Sequence, residues 1–221
     1  MKTVLMSLLR HSRRVIGTAA ILFGGLALLL PLRCTAGVID DFSDGKDSLA
    51  PQSVDPNTGR NKSIIDRGPV KGVLGGTRQL NINAKGTIVA RGDAITVWVN
   101  RRTNRVEYAG SLRSGGSLEL VYDASGKGLN ADWGSSKGIG ILLNADVSAV
   151  PYKVTLTVTD KAGKAASTTQ TVNAAGAQEV DLLFTGLRGV NVRKVVRLSL
   201  LIEPQVAGDF EVIKVMTLDV K

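Results

Sequence analysis

One cysteine and one histidine are all that the 221 residues hold, and both fall near the start, at Cys34 and His11. That region looks like an export leader. Lys2, Arg10, Arg13 and Arg14 precede the apolar run from Val15 to Leu30, and Cys34-Thr35-Ala36 offers small residues for cleavage before Gly37. The mature chain is expected to begin at Gly37, with residues 1-36 discarded and residues 37-221 forming a single domain in a secreted or periplasmic protein. A retained signal anchor is the competing reading, because the apolar run is only a little short of a bilayer span. Arg33 before Cys34 argues against lipoprotein processing. Ser12-Arg13-Arg14 is a partial twin-arginine signature that Val15-Ile16-Gly17 does not complete.

Without the leader the chain has neither thiol nor imidazole. Disulfides are excluded, although the compartment permits them. So are Ser-His-Asp and Cys-His catalysis, and the zinc, copper and haem sites that depend on those side chains. Net charge shrinks as well. The leader takes five of the 28 Lys and Arg and none of the 19 Asp and Glu, so +9 becomes 23 minus 19, or +4. Aromatic residues are scarce, at 4% of the chain with two Trp, which is meagre for a specialised glycan platform.

What is present is period-two alternation. Arg78, Leu80 and Ile82 face one way and Gln79, Asn81 and Asn83 the other. Ile95, Val97 and Val99 alternate with Thr96, Trp98 and Asn100. A shorter strand holds Val106 and Tyr108, and Leu118, Leu120 and Tyr122 form another apolar face. Ile139, Ile141 and Leu143 follow a loop from Gly126 to Gly138. Tyr152, Val154, Leu156 and Val158 alternate with Lys153 and three threonines in a run rich in β-branched residues. Asp160 to Lys164 supplies a hairpin turn, and Ala166 to Val172, mostly Ser, Thr and Gln, suits an exposed edge. Val180, Leu182 and Phe184 make another face, then Val196, Leu198, Leu200 and Ile202. In the last segment Phe210, Val212, Met216, Leu218 and Val220 are expected on one face, with Ile213 and Val215 on the other, as befits a central strand. Lys46 to Arg60 is expected to be a long loop.

About ten to twelve strands, no amphipathic helix and glycine at the turns describe an all-β fold, a two-layer antiparallel β-sandwich. A domain of this length buries roughly 70% of the surface its unfolded chain exposes and needs no covalent staple.

Several short motifs occur in order: Val38-Ile39-Asp40-Asp41-Phe42, Val73 to Arg78, Leu118 to Asp123, Gly128-Leu129 and Val190 to Val195. In this series the chain resembles a jelly-roll domain of secreted bacterial proteins, akin to carbohydrate-binding modules of galactose-binding-like fold and often attached to a PEP-CTERM sorting tail. No such tail follows the last strand here. The resemblance implies association with a glycan or another cell-envelope component.

The candidate site residues each carry two readings. Trp98 stands on the polar face of its strand, either as a stacking surface for a sugar ring or buried beneath a loop. Trp133, beside Asp132 in a Gly- and Ser-rich loop, is a second ligand candidate or a loop anchor. Arg101, Arg102 and Arg105 form a basic cluster that steers an anionic polymer or is simply solvated. No basic motif is interleaved with aromatics, so nucleic acid is not an expected partner. The first and last strands are expected to pair, which would gather Asp41, Asp44 and Asp219 at one rim, as ligands for a structural calcium or as ordinary turn residues. No other cofactor is indicated. Catalysis is not expected; a glycosidase would need two carboxylates at a set separation among Glu107, Glu119, Glu203 and Glu211. The remaining alternative is an assembly protein that pairs through the Ala166 to Val172 strand.

Overall fold

A computed structural model of the chain describes residues 37-44, 52-54, 62-66, 70-85, 95-100, 102-110, 115-204 and 208-219. The leader, Arg101 and most of the expected loop from Lys46 to Arg60 lie outside the described residues. Among those described there are thirteen strands: β1 (Val38–Asp40), β2 (Gln52–Val54), β3 (Lys62–Asp66), β4 (Arg78–Lys85), β5 (Ile95–Asn100), β6 (Arg105–Ala109), β7 (Gly115–Tyr122), β8 (Ser136–Ala145), β9 (Tyr152–Asp160), β10 (Ala165–Val172), β11 (Gly176–Leu183), β12 (Val195–Pro204) and β13 (Phe210–Asp219). The short β2 interrupts what the sequence presents as continuous loop. No helix among the described residues is long and apolar enough to cross a membrane.

Every pairing is antiparallel, and the strands form two sheets. The larger runs β11-β8-β13-β6-β5-β2, with β1 also on β13; the smaller runs β10-β9-β12-β7-β4-β3. As expected, the first and last strands pair. β6 covers Phe210 to Val212 of β13, and β1 takes over where β6 ends, with Val38 opposite Met216 and Asp40 opposite Val215.

The sheets bury their apolar faces against each other. Val97, Tyr108, Ile141, Leu143 and Val212 from one, and Leu80, Leu120, Val154, Leu156 and Leu200 from the other, are almost wholly inaccessible. Each such side chain contributes about 1.5–3 kcal/mol. Tyr108 stacks on Phe210 with ring centroids 4.4 Å apart and planes 13° from parallel.

The strict alternation expected for β13 fails at one point. A register shift between Val212 and Lys214 inserts an extra residue, and every side chain beyond a bulge changes face. Val215, not Met216, therefore joins Phe210 and Val212 in the core. A second shift between Val195 and Arg197 sends Val195 inward in place of Val196.

Candidate functional site

β1 is only three residues long, and a buried ion pair holds it in place. Arg78 stands on the inward face of β4, in line with Leu80 and Ile82, and is fully buried. Its guanidinium Nε and Nη2 donate to the two carboxylate oxygens of Asp40, each at 2.6 Å. The Tyr122 hydroxyl donates to the same carboxylate at 3.0 Å and the Phe42 backbone N–H at 2.9 Å. The Phe42 ring lies under the guanidinium, 4.8 Å from its carbon. Burial pushes the Asp40 carboxyl above its ordinary range, and these donors offset the shift in part. The cluster joins β1 of the larger sheet to β4 and β7 of the smaller one. Nothing in it faces solvent, so its role is structural. A charged residue in line with two core residues was the signal in the sequence that Arg78 requires a buried partner.

The rim carboxylates converge only in part: Asp41 and Asp44 both reach the Lys71–Gly72 backbone, and Asp219 does not join them. Asp41 Oδ1 accepts from the Ser43 hydroxyl at 2.6 Å and the Ser43 N–H at 3.0 Å. These bonds, with the attraction of Lys214, lower its pKa against the cost of burial. Asp44 accepts from the Lys71 N–H at 3.2 Å. Asp219 lies elsewhere, in register with Ser136. The antiparallel pairing that joins β1 to β13 also separates these residues, because Asp41 continues towards Lys214 while Asp219 is four residues past Val215 in the other direction. From Lys214 to Asp219 is five residues, about 17 Å at about 3.4 Å per residue, against the 2.3–2.6 Å of a calcium–oxygen bond. The three therefore cannot share one ion. No group of three or more His, Cys, Asp or Glu able to hold a metal occurs among the described residues.

Trp133 is 5% exposed and stacks on Phe184, centroids 6.0 Å apart. It anchors the β7–β8 loop to the core and offers no open ring face. Its neighbour Asp132 is exposed and caps the loop, accepting from the Gly134 N–H at 2.8 Å.

Trp98 is different. Ile95, Val97 and Val99 point inward, so Trp98 stands on the outer face of the larger sheet, partly buried. Pairing aligns it with Glu107 on β6, Glu211 on β13 and Asn144 on β8. This row spans about 14 Å, three inter-strand steps of about 4.8 Å. Its polar groups are fixed by one another. Asn100 Nδ2 donates to Glu107 at 2.7 Å, and the Thr103 hydroxyl donates to the same oxygen at 3.2 Å. Arg105 pairs with Glu211 at 2.5 Å, both side chains more than a quarter exposed. Asn144 donates to Glu211 at 3.0 Å. Arg105 thus belongs to this face through its ion pair, while Arg102 is an exposed turn residue whose N–H bonds Asn100 Oδ1 at 3.1 Å. The partners of Trp98 were hidden in the sequence because they lie on three other strands.

No family model matches the chain, and no curated protein matches it. Solved structures do resemble it. The family 11 carbohydrate-binding module of the cellulosomal cellulase Lic26A-Cel5E of Clostridium thermocellum aligns with a TM-score of 0.42 at 12% identity, covering 84% of this chain and 95% of that one. The structure of TmCBM61 in complex with β-1,4-galactotriose aligns with a TM-score of 0.30 at 9% identity, covering 74% and 93%.

Proposed function

We propose that the protein is an exported, non-catalytic module that binds a glycan or another cell-envelope component on the outer face of the larger sheet, with Trp98 as its stacking surface. The observation that carries this reading is an indole set in an otherwise polar row and flanked by carboxylates and amides held by their neighbours. A sugar ring offers the matching pattern, an apolar face with hydroxyls around its edge, and fixed donors and acceptors are what orient a bound ligand. Glu107 and Glu211 lie opposite each other, as a glycosidase pair would. Glu211, however, is tied to Arg105 and Glu107 accepts from Asn100 and Thr103, whereas an acid catalyst needs a carboxyl held protonated by its surroundings. Export would follow from the leader, with cleavage near Ala36.

The test is a glycan array followed by titration of the best ligand against Trp98→Ala. Truncating an anchor residue should weaken binding about tenfold or more, with the melting temperature little changed. An unaltered affinity would remove Trp98 from the site.

A specific observation also favours the assembly reading. β10 borders the smaller sheet in unbroken register with β9, and it contains no charge, proline or bulge of the kind that blunts exposed edges. Light scattering and crosslinking would then detect a β10-paired oligomer; a strict monomer would count against it.

A further inference from the structure

Three loops at one end of the sandwich carry the domain's excess of basic over acidic residues, and Asp66 and Asp219 close strands at the same end. Residues 123-135, 160-164 and 184-197 hold seven Lys and Arg against three Asp, whereas the rest of residues 37-221 hold sixteen of each. These three segments are the loops that link β7 to β8, β9 to β10 and β11 to β12, with the start of β12. They are tied together. The Lys161 N–H donates to the Lys194 carbonyl at 2.8 Å, the Trp133 N–H to Val192 at 2.9 Å and the Leu129 N–H to Val196 at 2.9 Å.

All three aspartates are used as loop caps. Asp160 accepts from the N–H groups of Ala162, Lys164 and Asn191; Asp132 accepts from Gly134 and Asp123 from Gly126. The cations stay outside this bonding. Lys161 and Lys164 flank the hairpin turn, Arg193 and Lys194 lie beside it, and Lys127 and Arg197 adjoin at Gly128–Val196. With Arg188, all are exposed, and none forms an ion pair among the described residues. Lys164 attracts the Asp160 carboxylate.

From this geometry we infer a second binding site, at this end of the sandwich, for an anionic polysaccharide bearing carboxylate or sulfate groups. Uncompensated cations on three mutually braced loops present a fixed array of point charges, the complement of an anion repeated along a polymer. Single-stranded nucleic acid fits less well because the rings at this end are turned inward: Trp133 is buried against Phe184. A lipid surface fits less well because Leu183 is the one exposed large apolar side chain at this end among the described residues.

The experiment measures binding of the purified protein to alginate, dextran sulfate, neutral dextran, a single-stranded oligonucleotide and phosphatidylglycerol vesicles at low and high salt. Retention on alginate or dextran sulfate but not on neutral dextran, weakening as salt rises, is the expected result; which of the two binds tighter identifies the anion. Lys161→Gln with Lys164→Gln, and Arg193→Gln with Lys194→Gln, should each lower affinity, by up to about fivefold per charge removed. The control Lys153→Gln should not. Trp98→Ala should keep its polyanion binding, which separates this site from the proposed stacking face. No retention on either polyanion, an equal loss in Lys153→Gln, a loss in Trp98→Ala, or tighter binding to the oligonucleotide or vesicles would each overturn the inference.

Discussion

Replacing Arg78 by Met is the most informative perturbation of this fold. The side chain is fully buried and makes two 2.6 Å bonds to an equally buried Asp40. Met preserves most of the volume, so what is lost is the charge and its hydrogen bonds. Asp40 would keep only the Tyr122 hydroxyl and the Phe42 N–H. Breaking a buried pair from one side costs about 3–5 kcal/mol, out of a total stability of about 5–15 kcal/mol. At about 2–4 °C per kcal/mol for a domain of this size, the melting temperature should fall by roughly 6–20 °C. Removing both partners, in Asp40→Leu with Arg78→Met, should recover most of that loss, since apolar substitutes of similar size often equal a buried ion pair. Urea unfolding of these two variants and of Asp40→Leu alone, followed by circular dichroism, gives the three free-energy changes of a double-mutant cycle, and hydrogen exchange at Ile39 and Asp40 reports whether β1 detaches first. A cost below about 1 kcal/mol for Arg78→Met, or a double variant as unstable as the single one, would refute the reasoning.

Other outcomes follow from local geometry. Trp133→Ala removes a buried ring stacked on Phe184 and should cost about 3–5 kcal/mol, read as a lower urea midpoint; an unchanged midpoint would mean that the loop is not anchored there. A Cβ on Gly138 would overlap the Leu182 carbonyl oxygen across the β8–β11 ladder, so Gly138→Ala should destabilise by about 1–3 kcal/mol. The Asn191, Lys164 and Ala162 N–H groups that bond Asp160 lower its pKa. Because the folded pKa lies below the unfolded one, this contribution is complete above about pH 4 and is lost as pH falls through the folded value. Asp160→Asn should therefore flatten the acid limb of a melting-temperature profile, and an unchanged limb would exclude the group.

Legibility from sequence tracked the range of the interaction. Alternation within one strand is local, and it gave the inward faces of β5, β7 and β9 directly. The hairpin at Asp160 to Lys164 was equally plain, since Gly163 supplies the positive φ that the turn needs. The bulge in β13 was not legible: either side of it alternates normally, and only the partner strands reveal that one residue has been added. The Asp40–Arg78 pair, 38 residues apart, required knowing that β1 and β4 belong to facing sheets. The expectation that Asp41, Asp44 and Asp219 gather at one rim failed for a related reason. The pairing of first and last strands was read correctly, but their register, which carries Asp219 away from Asp41, is not written in either strand alone.

The two outer faces of the sandwich differ in a way that bears on ligand binding. On the smaller sheet the polar side chains satisfy one another across strands. Thr155 pairs with Thr169 at 2.9 Å and Thr157 with Ser167 at 2.8 Å, and Glu119 accepts from Asn81 at 2.7 Å and from the Ser199 hydroxyl. A ligand settling there must displace these bonds and meets no ring among the described residues, so it exchanges one set of polar contacts for another at little net gain. On the larger sheet the carboxylates are held in place too, but they frame an indole whose apolar surface is worth removing from water. That surplus is the physical ground for assigning the proposed glycan contact to the Trp98 face.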